Sequence, residues 1–209
     1  MSRVGIVLSG CGFYDGTDAA EAILSALSVE RAGARPIFLA PEVTQMHTID
    51  HLSGSESEGE RREVLAEAAR LARGKVRSLA EQQPAELTAL IVPGGHGAVK
   101  NLISGFGQLG VRRELLPSLR ELLSGLTSRR SPIGSISLGR AVVRAYFDEP
   151  LSEDDMRMAA GDVEVDEERR LAFTPGFLTG TSILDVASGI ERMVQTLLRM
   201  STRELHVIH

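Results

Sequence analysis

Three short apolar runs in this chain each stop at a turn of small residues and lead into a helix. Residues 4–8 (VGIVL) meet Ser9-Gly10-Cys11-Gly12, residues 87–92 (LTALIV) meet Pro93-Gly94-Gly95, and the run SPIGSI at 131–136 breaks at Ser137. Runs this short and this apolar read as strands buried on both faces, which requires parallel neighbours and helices on either side of the sheet. Residues 35–40 (RPIFLA) add another strand, closed by Pro41. Helical spacing fills the intervals: Ala20, Ile23, Leu24 and Leu27; then Val64, Leu65, Ala68, Leu71 and Ala72; then a turn through Val99; then Leu115, Leu119, Leu122 and Leu126. After the helix that follows Ser137 the chain turns acidic and partly alternating. Residues 163–165 and 171–174 read there as a β-hairpin joined by the charged turn DEER, and a last helix runs from 183 to about 200 with Val186, Ile190, Met193, Val194 and Leu197 on one face. The expected fold is α/β, a three-layer sandwich with a mostly parallel sheet and a terminal β-hairpin, in one domain spanning 1–209. Ligands belong at the carboxyl ends of such strands, and those ends carry Cys11, Gly94, Gly95 and Ser137.

Composition narrows the function. A net charge of −5, no basic cluster and few aromatic residues argue against a nucleic-acid partner. No run approaches the length of a membrane span, so no membrane partner is expected, and residues 1–10 enter a strand without the apolar stretch and cleavage site of a secretory signal. The single cysteine excludes an internal disulfide and a thiolate-rich metal site and fits a reducing compartment. A cytoplasmic location is the expectation. His47 and His51 are spaced like ligands on a helix, but their neighbours suggest a loop and no third ligand is visible, so no metal is expected.

The abrupt strand-to-helix turn at Ser137 has the shape of a nucleophile elbow. In α/β hydrolases the pattern is G-x-S-x-G, because small flanking residues let a nucleophile sit on a strained turn above the sheet. Here it reads Ser135-Ile136-Ser137-Leu138-Gly139, with only the second glycine kept. Gly94 and Gly95 end the neighbouring strand, where a bare backbone can aim N–H groups at an oxyanion; the Leu138 N–H is the natural second donor, and a plain strand-ending turn is compatible with the same residues.

The segments GIVLSGCGFYDGTDAAEAILSAL, IDHLSG, EAARLARGKV, ALIVPGGHGAVKNL, VDEERRLAFTPGFL and DVASGIERMV, in this order and over most of the chain, resemble the enhancing-lycopene-biosynthesis protein 2 family. That family is the isoprenoid-biosynthesis branch of the class I glutamine amidotransferase-like, or PfpI-like, superfamily. The resemblance implies a flavodoxin-like sandwich, usually a homodimer, with a reactive residue on the elbow and an acidic side chain from the first helix beside it, at the position of Glu21. It implies no cysteine-histidine-glutamate glutaminase triad and an association with glyoxalase-type conversion of glyoxal to glycolate; no cofactor is expected. This chain departs from the pattern in two places. The elbow cysteine is replaced by Ser137, and the stretch between the elbow helix and the hairpin is shorter than in relatives.

Each candidate has more than one reading. A serine hydroxyl is inert without a positioned base, so Ser137 is either a nucleophile or a remnant of the turn. Glu21 is an acid/base beside it or a solvated helix residue. His96 follows the glycine loop and is either the base that Ser137 lacks, which makes the chain a serine hydrolase, or a surface histidine. Cys11 is redox-sensitive, a displaced nucleophile, or packing. Lys100 and Asn101 bind an anionic substrate, or cap and solvate their helix. The function expected first is a glyoxalase-like enzyme acting on a small carbonyl compound. A silent member binding a metabolite or protein partner is the alternative.

Overall fold

The apolar run at the start of the chain forms β1 (Arg3–Val7) near the middle of a seven-stranded sheet, in a computed structural model that describes residues 1–105, 114–150, 157–180 and 182–203. Helix α1 (Ala19–Arg31) leads to β2 (Arg35–Ala40), and α2 (Val64–Leu71) to β3 (Val76–Ser78). The central run is β4 (Ala89–Val92), followed by the short helix α3 (Gly97–Asn101) and a two-stranded ribbon of β5 (Ile103–Ser104) and β6 (Glu114–Leu115). Helix α4 (Pro117–Ser128) precedes the elbow strand β7 (Ile133–Ile136), and α5 (Gly139–Tyr146) follows it. The hairpin of β8 (Glu164–Asp166) and β9 (Leu171–Thr174) and the long helix α6 (Ile183–Arg203) complete the fold. The acidic stretch at 151–156 lies outside the described residues.

The sheet order is β3-β2-β1-β4-β7-β9-β8, parallel throughout except for β8. Strands β4 and β7 are buried along their whole length, as continuous apolar runs require. Two apolar clusters form, one on each face: Leu119, Leu122, Leu123 and Leu126 of α4 with Val142 of α5 on one side, and Ala22 and Val29 of α1 with Ile190, Met193 and Leu197 of α6 on the other. This is the flavodoxin-like, class I amidotransferase-like architecture, with the hairpin where the alternation placed it.

Helix α1 differs from the expected pattern. Its buried positions are Glu21, Ala22, Ser25, Ser28 and Val29, while Ile23 and Leu27 stay 47% and 40% exposed. Small residues face inward because α1 packs closely on α6, and the Ser25 hydroxyl donates to the Glu21 carbonyl at 2.7 Å within the helix.

Register brings the site together. Val92 of β4 pairs with Ser135 of β7, so Gly94 and Ser137, each two residues further on, emerge side by side. Ile136 pairs with Thr174 of β9, so the chain after Thr174 flanks Ser137 from the other side.

Candidate active site

Ser137 has φ of 51°, a left-handed conformation costly for a residue with a Cβ, and lies directly between β7 and the start of α5. Its N–H donates to the Thr174 carbonyl at 3.1 Å, which fixes the turn against β9. The side chain is almost fully buried, at 6% residue exposure. A Cβ on Gly94 would stand 2.7 Å from the Ser137 Cβ and 2.8 Å from both Ser137 Oγ and Glu21 Oε2. The central glycine therefore makes the space in which hydroxyl and carboxyl meet.

Glu21 is wholly buried in the third position of α1, whose N-cap is Asp18. The Gly94 N–H donates to its Oε2 at 2.7 Å, and the Phe177 N–H, after β9, donates to its Oε1 at 3.1 Å. Gly176, with φ of 53°, carries the chain past the carboxyl; a Cβ there would lie 2.6 Å from Oε1. Burial pushes the Glu21 pKa up to about 8, helped by the Asp18 charge and opposed by the hydrogen bonds from Phe177, Gly94 and Ser137. At neutral pH the carboxyl is mostly protonated, with a proton affinity close to that suited to a general acid or base.

The remaining candidates sort by their hydrogen bonds. Gly94 was expected to offer an oxyanion donor, but its N–H is engaged by Glu21. Among the described residues the Gly95 and Leu138 N–H groups donate no hydrogen bond. The His96 Nδ1 lies 3.0 Å from the Phe13 carbonyl and its ring packs edge-on against Phe13, with no hydrogen bond to Ser137 among the described residues. Lys100 donates to the Tyr14 carbonyl at 2.8 Å. The buried Asn101 donates to the carbonyls of Ser9 at 2.8 Å and Asp15 at 2.7 Å and accepts from the Met46 N–H at 2.9 Å. Both side chains thus hold the loop after β1, because that loop leaves its carbonyls pointing at α3.

Cys11 lies half-buried on the same loop. Burial, then Glu67, push its thiol pKa above the ordinary value, which lowers its thiolate fraction. The Nδ1 of His51 lies 3.0 Å from the Ile49 carbonyl, its Nε2 accepts from the Tyr14 N–H at 3.2 Å, and no group of three or more potential metal-ligating side chains occurs among the described residues. Asp18, Gly176 and Phe177 escaped the sequence reading. The pattern Asp18-Ala19-Ala20-Glu21 resembles a capping box and could have singled out Asp18; nothing local marks the other two.

An elbow at φ of 51° beside a buried carboxyl, on a sheet of this order, defines a class I glutamine amidotransferase-like α/β sandwich. The isoprenoid biosynthesis protein with amidotransferase-like domain from Ehrlichia chaffeensis superposes with a TM-score of 0.86 and 27% identity, over 94% of this chain and 99% of that one. A ThiJ/PfpI domain protein from Brachyspira murdochii, at 11% identity and a TM-score of 0.55, over 95% of this chain and 96% of that one, shares the fold alone. The rat ES1 protein homolog, mitochondrial, and the human glutamine amidotransferase-like class 1 domain-containing protein 3, mitochondrial, are each 34% identical over 225 residues, covering 96% of this chain and 84% of the relative. The chain belongs to this ES1 family of amidotransferase-like proteins. No protein-family model matches it. The matched span exceeds the 209 residues of this chain, which agrees with a chain shorter than its relatives. The cytoplasmic expectation is corrected by the same relatives, both named as mitochondrial. It rested on the lack of a secretory signal and on a lone cysteine, neither of which separates one reducing compartment from another.

Proposed function

We propose that the chain is a glyoxalase-like enzyme acting on a small carbonyl compound, with Ser137 in the nucleophile position and Glu21 as the acid/base. The observation that carries this reading is the buried carboxyl of Glu21 beside the strained Ser137, with its pKa moved up to about 8. Addition of the Ser137 hydroxyl across an aldehyde forms the Oγ–C bond and breaks the C=O π bond, the hydroxyl proton passing through Glu21 to the former carbonyl oxygen. In glyoxal, a proton shift between the two carbons through the same carboxyl converts this hemiacetal into a glycolyl ester. Water then releases glycolate and restores the serine. One carbon is oxidised as its neighbour is reduced, so no external redox partner or cofactor enters. The Gly95 and Leu138 N–H groups, without partners among the described residues, are the donors for the oxyanion.

The test is glyoxal consumption by wild type, Ser137→Ala, Ser137→Cys and Glu21→Gln. Weak wild-type turnover lost in Ser137→Ala and Glu21→Gln supports the reading, and Ser137→Cys is expected to exceed wild type because a thiol ionises more readily at a helix N-terminus. A folded protein inert as both wild type and Ser137→Cys sinks it. The second reading, a silent binding site, is favoured by the same serine, which has no imidazole in hydrogen-bond reach among the described residues. Neither reading gives ammonia release from glutamine. Homodimerisation belongs to the same proposal: Ile23 and Leu27 on α1, and Ile183 and Leu184 at the start of α6, are exposed apolar residues on two helices that pack together. Light scattering that reports a monomer at micromolar concentration counts against it.

A further inference from the structure

A capping box normally closes on itself: the N-cap side chain accepts from the N–H of the third helical residue, and the glutamate there reaches back to the N-cap N–H. The start of α1 has the first half of this arrangement. Asp18 Oδ1 accepts from the Ala20 N–H at 2.9 Å and the Glu21 N–H at 3.1 Å. The second half is opened, and Gly94 stands in the gap. The Asp18 N–H donates to the Gly94 carbonyl at 3.0 Å, and the Gly94 N–H donates to Glu21 Oε2 at 2.7 Å. Asp18, Gly94 and Glu21 thus form a closed ring of hydrogen bonds, with the glutamate turned toward Ser137 instead of its own N-cap.

Resting on the reading of Glu21 as the acid/base, we propose that Asp18 is the positioning residue of this site: through the ring it aims the Glu21 carboxyl at Ser137, and it sets its own carboxylate within one helical turn of that carboxyl. The ring explains the aim. Glu21 is held by three elements at once, at Asp18 on its own helix, at Gly94 after β4 and at Phe177 after β9, while Ser137 lies alongside at the end of β7. Two of the carboxyl's contacts are backbone N–H donors, which favour the ionised form, and the Ser137 hydroxyl adds to them. Burial and Asp18 work the other way, and of the groups acting most strongly on this carboxyl Asp18 alone is charged. A like charge within one helical turn, across a water-poor site, disfavours a second ionisation. Glu21 also lies too deep for solvent to screen that repulsion fully. Asp18 therefore does two things that a serine or asparagine cap would separate, since either neutral side chain keeps the cap bond and loses the charge.

The experiment is direct titration of the Glu21 carboxyl by 13C NMR on protein labelled at glutamate side chains, with Glu21→Gln identifying the signal. Wild type, Asp18→Asn and Asp18→Ser are compared, and folding is checked by thermal melts. The wild-type midpoint is expected near 8, and both neutral caps are expected to lower it by on the order of one pH unit while the melts stay cooperative. Unchanged midpoints in both variants overturn the proposal, as does a wild-type carboxyl that titrates in the ordinary range. Because the readout is a titration, it stands apart from turnover: absent glyoxal consumption with a shifted midpoint removes the enzymatic reading and leaves the role of Asp18 intact. If one variant fails to fold, the other decides.

Discussion

The loop after β1 and the elbow after β7 look alike in sequence, an apolar strand, a turn of small residues and a helix, yet they differ in what is packed beside the turn. In the first, Ser9 N–H donates to Thr17 Oγ1 at 2.6 Å, Gly12 N–H to the Thr17 carbonyl at 2.9 Å and Gly16 N–H to the Gly12 carbonyl at 2.7 Å, while Asn101 takes up the carbonyls of Ser9 and Asp15. At the elbow, the Leu138 N–H and the neighbouring Gly95 N–H make no hydrogen bond among the described residues, and a carboxyl is buried against a hydroxyl. The first turn is a staple tied by its own bonds and by Asn101, although its Gly10 and Cys11 N–H groups also donate no hydrogen bond among the described residues and Asp15 Oδ1 is buried without a hydrogen-bond partner. What sets the elbow apart is the wholly buried Glu21 carboxyl against the Ser137 hydroxyl, next to donors without partners.

The largest effect that separates the two regions is on turnover. Glu21→Gln is expected to reduce glyoxal consumption by about 10²–10⁴-fold, the usual contribution of a general acid or base, while Cys11→Ser changes it little. Comparable losses in both variants would merge the regions into one site. Stability against pH comes next. Glu21 is an acid whose folded pKa, about 8, lies above the ordinary 4.5, so between those values the folded chain holds a proton that the unfolded chain has released. Stability therefore falls as pH rises through this window, by up to about 1.4 kcal/mol per pH unit for a single proton. Full stabilisation is present below the unfolded value and is lost as pH passes the folded one. Chemical denaturation between pH 5 and 9 measures the slope, and Glu21→Gln is expected to flatten it; an unchanged slope in that variant would place the titrating group elsewhere.

At the staple the expected effect is purely structural. Asn101→Ala removes three hydrogen bonds from a residue that is 5% exposed and strands the buried carbonyls of Ser9 and Asp15. A loss of about 2–3 kcal/mol follows from leaving such groups unsatisfied. Turnover per folded molecule is expected to stay near wild type, measured after correcting for the folded fraction. A fall in turnover at full folding would return Asn101 to the site as a ligand-binding residue.

The strand runs, their parallel pairing and the hairpin were legible in sequence because burial on both faces leaves an unbroken apolar signature. The elbow was legible from small residues around Ser137. Glu21 was reached through resemblance to a family, since a helix glutamate carries no local mark of being buried. Gly176 and Phe177 were not legible at all: the bond from Phe177 to Glu21 spans 156 positions, and only the pairing of β9 with β7 brings it about. Ile23 and Leu27 mark the helix by their apolar spacing, but the close approach of α6 selects the smaller residues of α1 for the inside. Lys100 and Asn101 were read as possible anion binders because a polar side chain near a glycine loop looks the same whether it meets a ligand or a carbonyl.

The smallest expected effect isolates backbone strain. Four other non-glycine residues share the left-handed conformation of Ser137, at Arg73, Arg130, Asp148 and Arg170, and Arg73 sits in the turn after α2 with φ of 52°. A turn residue of that kind is a local convenience, and Arg73→Gly should stabilise the fold by about 0.5–1 kcal/mol with no change in turnover, because glycine adopts the same φ without a Cβ clash. Ser137→Gly relieves an equal strain and should stabilise by a similar amount, yet abolish turnover, since the hydroxyl leaves with the Cβ. Equilibrium denaturation of the two variants beside wild type makes the comparison. If Ser137→Gly is the less stable of the two, the hydroxyl's contact with the Glu21 carboxyl holds the buried acid in place more strongly than the elbow strain opposes it, and the serine is then as much a structural partner of Glu21 as a reactive one.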